Sequence, residues 1–208
     1  VGQDFLAWWE RFEQDPQAAL DELDKYHFVG ATFNNTMAQF VATVYEMGWE
    51  DGSKTLSFLL NEQGQVEIEF SSVKAYRWAQ DWAAKMVKQI NESTRDMLRE
   101  TIQSSVNNEE PWQVLKQKLM DGHYAFSERR CETIARTESG MAYNIGAVDC
   151  WKESELVDSV LVIDGDYDPE CEAVNGQTWT FDEAIFNPLE HPNCVREFFP
   201  NLKGVGSK

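Results

Sequence analysis

Residues 72–106 read SVKAYRWAQDWAAKMVKQINESTRDMLRETIQSSV. Within them Tyr76, Ala79, Ala83, Met86, Ile90, Met97, Thr101 and Ile102 recur mostly every three or four positions. That is the period of a helix with one apolar stripe. At 1.5 Å per residue, an unbroken helix of this length spans about 50 Å. It exceeds the usual globular length, which predicts a bundle or an extended strut. The expected fold is therefore α+β, with a long-helix-dominated body. Asn107 to Pro111 break this helix. A short helix follows, with Trp112, Leu115 and Leu119 inward, closed by Asp121 and Gly122.

Toward the N-terminus, residues 4–28 read as one or two short helices. Phe5, Leu6, Trp8, Trp9 and Phe12 share a face, and Asp15-Pro16 restarts the chain as cap and first helical position. Asn34 or Asn35 caps a further helix through Met37, Phe40, Val41, Val44 and Met47, ended near Gly48. Over 55–70 the period changes. Leu56, Phe58 and Leu60 alternate, as do Val66, Ile68 and Phe70, with Asn61 to Gly64 between. This predicts an N-terminal β-hairpin with one apolar face. A bare hairpin is marginal, so it needs helices or another sheet to pack on. No internal repeat or low-complexity stretch is evident.

Toward the C-terminus, Ser127 reads as an N-cap with Glu128 in the first turn. Its helix runs to about Trp151 through Cys131, Ile134, Ala135, Met141, Ala142, Ile145 and Val148. Leu156 to Ile163 reads as a strand. From Asp164 the chain is loop-rich, with strand-like pieces near 177–181 and 195–199. Three regions result: 1–71, helical with the hairpin; 72–153, a helical body; and 154–208, a small β- and loop-rich tail.

The chain has 208 residues, with 18 Lys and Arg against 36 Asp and Glu, a formal net charge of −18. Hydrophobic residues make up 42%, enough for a core, which excludes wholesale disorder. Such acidity argues against a protein built to grip nucleic-acid phosphates, and no sequence-specific nucleic acid is expected as a partner. The charge is uneven. Residues 1–70 hold 13 acids and 3 bases, 71–150 hold 11 of each, and 151–208 hold 12 and 4. Val1 to Asp4 show neither a basic nor an apolar leader, so no signal peptide is expected. No run approaches the ~18 apolar residues of a membrane span. Four cysteines, Cys131, Cys150, Cys171 and Cys194, are too sparse for a disulfide scaffold and fit a reducing compartment.

Three clusters could carry chemistry. Cys171, His191 and Cys194 are of the types that bind zinc, and Asp168 can supply a fourth ligand. A metal staple would help a tail so poor in apolar residues to fold. Two buried or free thiols beside a surface histidine is the plainer alternative. Asp164 to Asp168 resemble the start of a calcium loop, but the glycine at its sixth position is missing and Asn175 stands where a bidentate Glu belongs. A solvated acidic turn is the expectation there. Arg129, Arg130 and Arg136 form the densest basic cluster, and with Glu138 they are the candidate partner-binding residues. Arg136 and Glu138 point to different sides of their helix, as packing ion pairs also would. No glycine-rich phosphate loop and no Gly-x-Ser-x-Gly elbow occur, and the three histidines have no evident catalytic pair, so no enzymatic activity is expected.

Taken together, Ser127 to Glu138, then Ala142-Tyr143-Asn144-x-Gly146, a strand, Asp168-x-x-Cys171 with Gly176, and His191-Pro192-Asn193-Cys194 resemble the phage head morphogenesis family. This is the minor head protein family named for protein F of phage Mu. The resemblance covers about residues 72–200. It departs from the family pattern at Asp168 and Arg196, which stand where the family carries cysteines. What it implies is a minor head protein of a tailed phage or prophage, associated with the portal vertex or inner capsid. Its implied partners are the portal, capsid or scaffolding protein. Its implied location is the procapsid or head interior, and the host cytoplasm during assembly. Such proteins assist head assembly and can be ejected with the DNA. The alternative is a metal-dependent enzyme or ejected effector carried by a phage-like particle.

Overall fold

Helices dominate the computed structural model, which describes residues 16–23, 31–60, 68–108, 128–165 and 167–204, with a few isolated positions between. In chain order these are α1 (Pro16–Leu23), α2 (Ala31–Leu59), α3 (Ser72–Asn107) and α4 (Glu128–Ser154). Then come β1 (Val157–Ile163), α5 (Pro169–Val174), β2 (Thr178–Trp179), α6 (Phe181–Phe186) and β3 (Glu197–Leu202). The long amphipathic helix is α3, within a residue of its expected ends. The sheet has order β2-β1-β3, with both pairs antiparallel.

The expected N-terminal hairpin is not formed, and with it the α+β reading gives way to a helix-dominated chain carrying one small C-terminal sheet. Leu56 and Phe58 lie inside α2, and Leu60 in the turn after it. Ile68 and Phe70 are in irregular chain, and no described residue before Val157 is in a strand. The reason is a helical stripe. Val41, Tyr45, Trp49 and Leu56 are all buried, at spacings that keep one helix face inward. Leu56 is fully buried and Phe58 is 81% exposed, so their alternation separates the core and solvent sides of a helix. Gly48 does not end this helix; it lies in its middle. The expectations for residues 4–15, 24, 26–28, 61–67, most of the helix at 111–119 and the Ser127 cap fall outside the described residues. Among the described residues, no helix is long and apolar enough to cross a membrane.

The chain divides into two compact units. One comprises Val1–Met37 with Gln80–Cys131, the other Ala38–Ala79 with Glu132–Lys208. In the first, Leu23, Ala83, Met86, Ile90, Leu98 and Ile102 are buried. Arg130 turns onto α3, donating to Ser93 Oγ at 2.6 Å and Thr94 Oγ1 at 3.3 Å.

In the second unit, α2 and α4 cross with almost no side chain between them. A Cβ on Gly48 would lie 2.0 Å from the Tyr143 carbonyl oxygen, and one on Gly146 would lie 2.1 Å from that of Tyr45. Only glycine permits such an approach. On either side of the crossing, Tyr45 Oη donates to Asp149 Oδ2 at 2.7 Å, and Tyr143 Oη donates to Asp51 Oδ2 at 2.9 Å. The pairing runs antiparallel and exposes a short sequence echo. Tyr45-x-x-Gly48-x-x-Asp51-x-x-Lys54 matches Tyr143-x-x-Gly146-x-x-Asp149-x-x-Lys152. An internal repeat is therefore present, in ten residues of each helix, related by a local two-fold pairing. Trp151 Nε1 adds a bond to the Gly52 carbonyl at 3.0 Å. Ala147, Val148 and Trp151 pack with Leu56 against Val157, Val160, Val162 and Phe198 of the sheet.

Two predictions follow from the crossing. Gly48→Ala or Gly146→Ala forces two backbones apart, and overpacking of this kind costs about 1–3 kcal/mol. Denaturant melts should show that loss, whereas Gly140→Ala, whose added methyl meets only the Leu189 side chain at 3.3 Å, should be tolerated. Equal stability of all three variants would refute the tight crossing. The second concerns pH. Burial, the largest influence, outweighs the Tyr45 bond and nearby Lys74 and Lys152, and with help from Glu153 it raises Asp149 above the usual carboxylate range. The folded chain then holds that proton more tightly than the unfolded one. The stability this contributes is full below the unfolded pKa and is lost as pH rises through the folded value. Asp149→Asn keeps an acceptor for Tyr45 without the charge. It should melt with the parent in acid and above it at neutral pH; a difference constant across pH would contradict this.

Candidate metal centre

Each candidate ligand is placed by local chemistry. Asp168 is the N-cap of α5. Its Oδ1 accepts from the Cys171 backbone N–H at 2.9 Å, and Pro169 occupies the first turn. Cys171 thereby points inward and is fully buried. His191 and Cys194 are the ends of a tight turn, closed by Cys194 N–H donating to the His191 carbonyl at 3.1 Å. Pro192 takes the second position and Asn193 the third, where φ is +63°. That is the residue pattern a type II turn requires. Helix α4 grips the turn. Asn193 N–H donates to Thr137 Oγ1 at 3.0 Å, and its side-chain amide donates to Thr133 Oγ1 at 3.4 Å. The Asn144 amide donates to the Pro188 and Arg196 carbonyls at 3.0 and 2.8 Å, holding the chain on both sides of the turn.

These supports bring three donors together. Cys171 Sγ lies 3.4 Å from His191 Nε2 and 3.8 Å from Cys194 Sγ, and the three ligand atoms all fall within 4.8 Å of one another. They form a triad able to hold one metal ion. Met141 and Leu189 close its apolar side. Asp168 Oδ2 lies 2.9 Å from the same His191 Nε2. His191 Nδ1 faces the Pro192 carbonyl at 3.0 Å. A carbonyl only accepts, so in a neutral ring bonded to it Nδ1 carries the hydrogen, which leaves Nε2 as the nitrogen a metal ion would take. A bare ring nitrogen and a carboxylate at that separation need a positive charge between them, either a proton or a metal ion.

The electrostatics oppose nucleophilic use of this cluster. Burial, with the carboxylates of Asp164 and Asp168, pushes the Cys171 thiol above its usual range. An activated thiolate needs the reverse. In a nucleophile–base–carboxylate relay the carboxylate orients the far ring nitrogen. Here Cys171 and Asp168 both address Nε2. The Cys171 backbone N–H first, and the His191 ring after it, hold the Asp168 carboxyl well below the usual carboxylate range.

The other sequence candidates lie on α4 and in the run from Asp164. Arg129 is exposed, Arg130 is engaged by α3, and both belong to the first unit. Arg136 and Glu138 belong to the second. Arg136 is exposed and faces Glu132 on its own helix at 4.0 Å, and Glu138 is half-buried. The calcium-like run is also divided. Asp164 is buried against Arg196 and Asp168 caps α5. Sequence reasoning missed the part played by Asp164 and Arg196, which flank the triad. A basic residue two positions after Cys194, in a chain segment otherwise alternating toward the core, is the one signal that could have shown it.

Compared with models of known families, with characterised proteins and with solved structures, the chain matches none.

Thiol accessibility tests this geometry. Cys131 is exposed, while Cys150, Cys171 and Cys194 are buried, and burial pushes Cys150 up to about 12. A maleimide should label Cys131 alone in the native chain and all four cysteines in denaturant. Rapid native labelling of Cys171 or Cys194 would show the cluster to be open.

Proposed function

We propose that this chain is a non-enzymatic minor head protein of a tailed phage or prophage, whose C-terminal module is stapled by a structural zinc ion. One observation carries the reading. The scattered residues on which the family resemblance rests are joined by hydrogen bonds: Thr133, Thr137 and Asn144 of α4 grip the His191–Cys194 turn and its flanks. A motif spread over sixty residues thus has one physical purpose, which supports treating it as a unit rather than a coincidence.

The donor set fits zinc. Two sulfurs each about 2.3 Å from a tetrahedral ion lie about 3.8 Å apart, which is the separation of Cys171 and Cys194. His191 would supply Nε2 and Asp168 a carboxylate oxygen. When bound, the ion supplies a cross-link between α5 and the turn. The protein's own residues orient the donors: Pro192 sets the ring tautomer, the α5 cap sets Cys171, and α4 sets the turn. The partners in this reading are the portal, capsid or scaffolding protein, met in the head interior or in the host cytoplasm during assembly. The acidic surface suits contact with protein rather than with DNA.

The test is particle composition. With the chain tagged and expressed in its own phage or prophage, purified procapsids should contain it in few copies, cross-linked to portal or capsid protein. Intact procapsids that never contain or contact it would sink the reading. Metal analysis of the purified chain should find one zinc per chain, lost in Cys171→Ser and Cys194→Ser. A wild-type chain without zinc would mean that packing alone holds the module.

A further inference from the structure

We propose that Arg196 is the positioning residue of this centre, holding Cys194 through Asp164 and the His191 turn through Glu190, so that the ligands are preset for the ion. The proposal rests on the zinc reading above.

The Arg196 side chain is fully buried, and its fork is used in three directions. Nε donates to Asp164 Oδ2 at 2.9 Å, one terminal nitrogen donates to the Asn187 carbonyl at 3.1 Å, and the other donates to Glu190 Oε2 at 3.1 Å. Its Cζ lies over the Trp179 ring, 5.1 Å from the ring centre. Asp164, equally buried, places its oxygens 3.7 and 3.9 Å from Cys194 Sγ. Its backbone N–H donates to Asn175 Oδ1 at 3.1 Å, which fixes it from the other side. The guanidinium therefore reaches the sulfur ligand by one arm and the residue before the histidine ligand by another.

Charge makes the same demand. Two thiolates and the Asp168 carboxylate around a divalent ion leave one net negative charge. Asp164 adds a second: in the metal-free chain it accepts from the Cys194 thiol, and once that proton is lost it faces a thiolate, where an uncompensated charge is costly. Arg196 is the buried cation beside it. Lysine could match that charge, but as a single point it cannot hold three acceptors in a fixed fork. The conservative change therefore separates positioning from charge.

The experiment measures zinc affinity by competition with a chromophoric chelator, using the full chain, with circular dichroism to establish folding. Arg196→Lys should bind zinc about 10- to 100-fold more weakly, the range seen when an outer partner of a metal ligand is lost. Glu190→Ala alters a side chain that is 40% exposed and should leave the fold intact. It frees one arm and should weaken zinc to a smaller degree in the same direction. Tyr143→Phe removes the distant bond to Asp51; it should lower stability while leaving zinc affinity at the parental value. If Arg196→Lys does not fold, Glu190→Ala decides. Folded variants with parental affinity overturn the proposal, as does an equal loss in Tyr143→Phe, which would make affinity a mere reflection of stability. A parent chain that binds no zinc overturns the zinc reading itself, and this proposal with it.

Discussion

The second unit depends on the contact between α2 and α4 at Gly48 and Gly146. With no Cβ on either side, the two backbones meet directly, and every neighbouring interaction is set by that approach. It brings Tyr45 within reach of Asp149 and Tyr143 within reach of Asp51. It also decides what the rest of α4 can do. The side carrying Gly146 belongs to α2. Ala147, Val148 and Trp151 cover the sheet, and Thr133, Thr137 and Asn144 reach the turn that carries His191 and Cys194. One helix thus serves three surfaces. A shift of α4 along α2 would move the sheet and the ligand turn together, because a helix is a rigid ruler of 1.5 Å per residue.

The echo across the crossing is symmetric in geometry and unequal in chemistry. Asp51 has Lys54 at 2.8 Å and is half-exposed, and Lys54 followed by Tyr143 draws its carboxyl below the ordinary range. Asp149 occupies the matching place, but Lys152 turns away to Asp182 at 2.9 Å, and burial drives Asp149 the other way. The tyrosines follow their partners. Burial pushes Tyr143 up to about 12 and the deeper Tyr45 further still. The same four residue types therefore produce one relaxed and one loaded hydrogen bond. What separates them is the surroundings: Asp182 of α6 draws Lys152 away, while Phe70 and Trp78 enclose the Tyr45 side.

Parts of this arrangement were legible in the residues alone. The 3.6-residue stripe of α3 is long enough that no other period competes. The run of Val, Leu and Ile before Ile163 marks β1, since β-branched residues suit a half-covered strand. Cys171, His191 and Cys194 were legible as a set from their types, and the Pro192-Asn193 pair forces the turn that unites two of them. The hairpin over 55–70 was a false reading with a clear origin. Three alternating residues are too few to separate a strand from two sides of a helix, and Gly48 concealed that Val41, Tyr45, Trp49 and Leu56 are one stripe. A glycine within a helix reads as a stop unless the partner backbone is known. Arg196 was illegible for a similar reason. A charged side chain is expected in solvent, and its burial follows only when Asp164, 32 residues away, and Trp179 converge on it with the nearby Glu190.

Burial of Arg196 bears on the charge of the whole chain. Residues 151–208 hold only four bases against twelve acids. Arg196 is inside the fold, and Lys152 is paired with Asp182. Asp164 is buried with Arg196, so the surface of the tail keeps the acid excess of its composition. Such a surface repels nucleic-acid phosphate over a screening distance of about 10 Å at moderate salt. The acidity that first argued against a DNA-gripping role thus has a structural counterpart: Arg196 is matched inside the fold by Asp164, and the acid excess of the tail is not reduced by its burial.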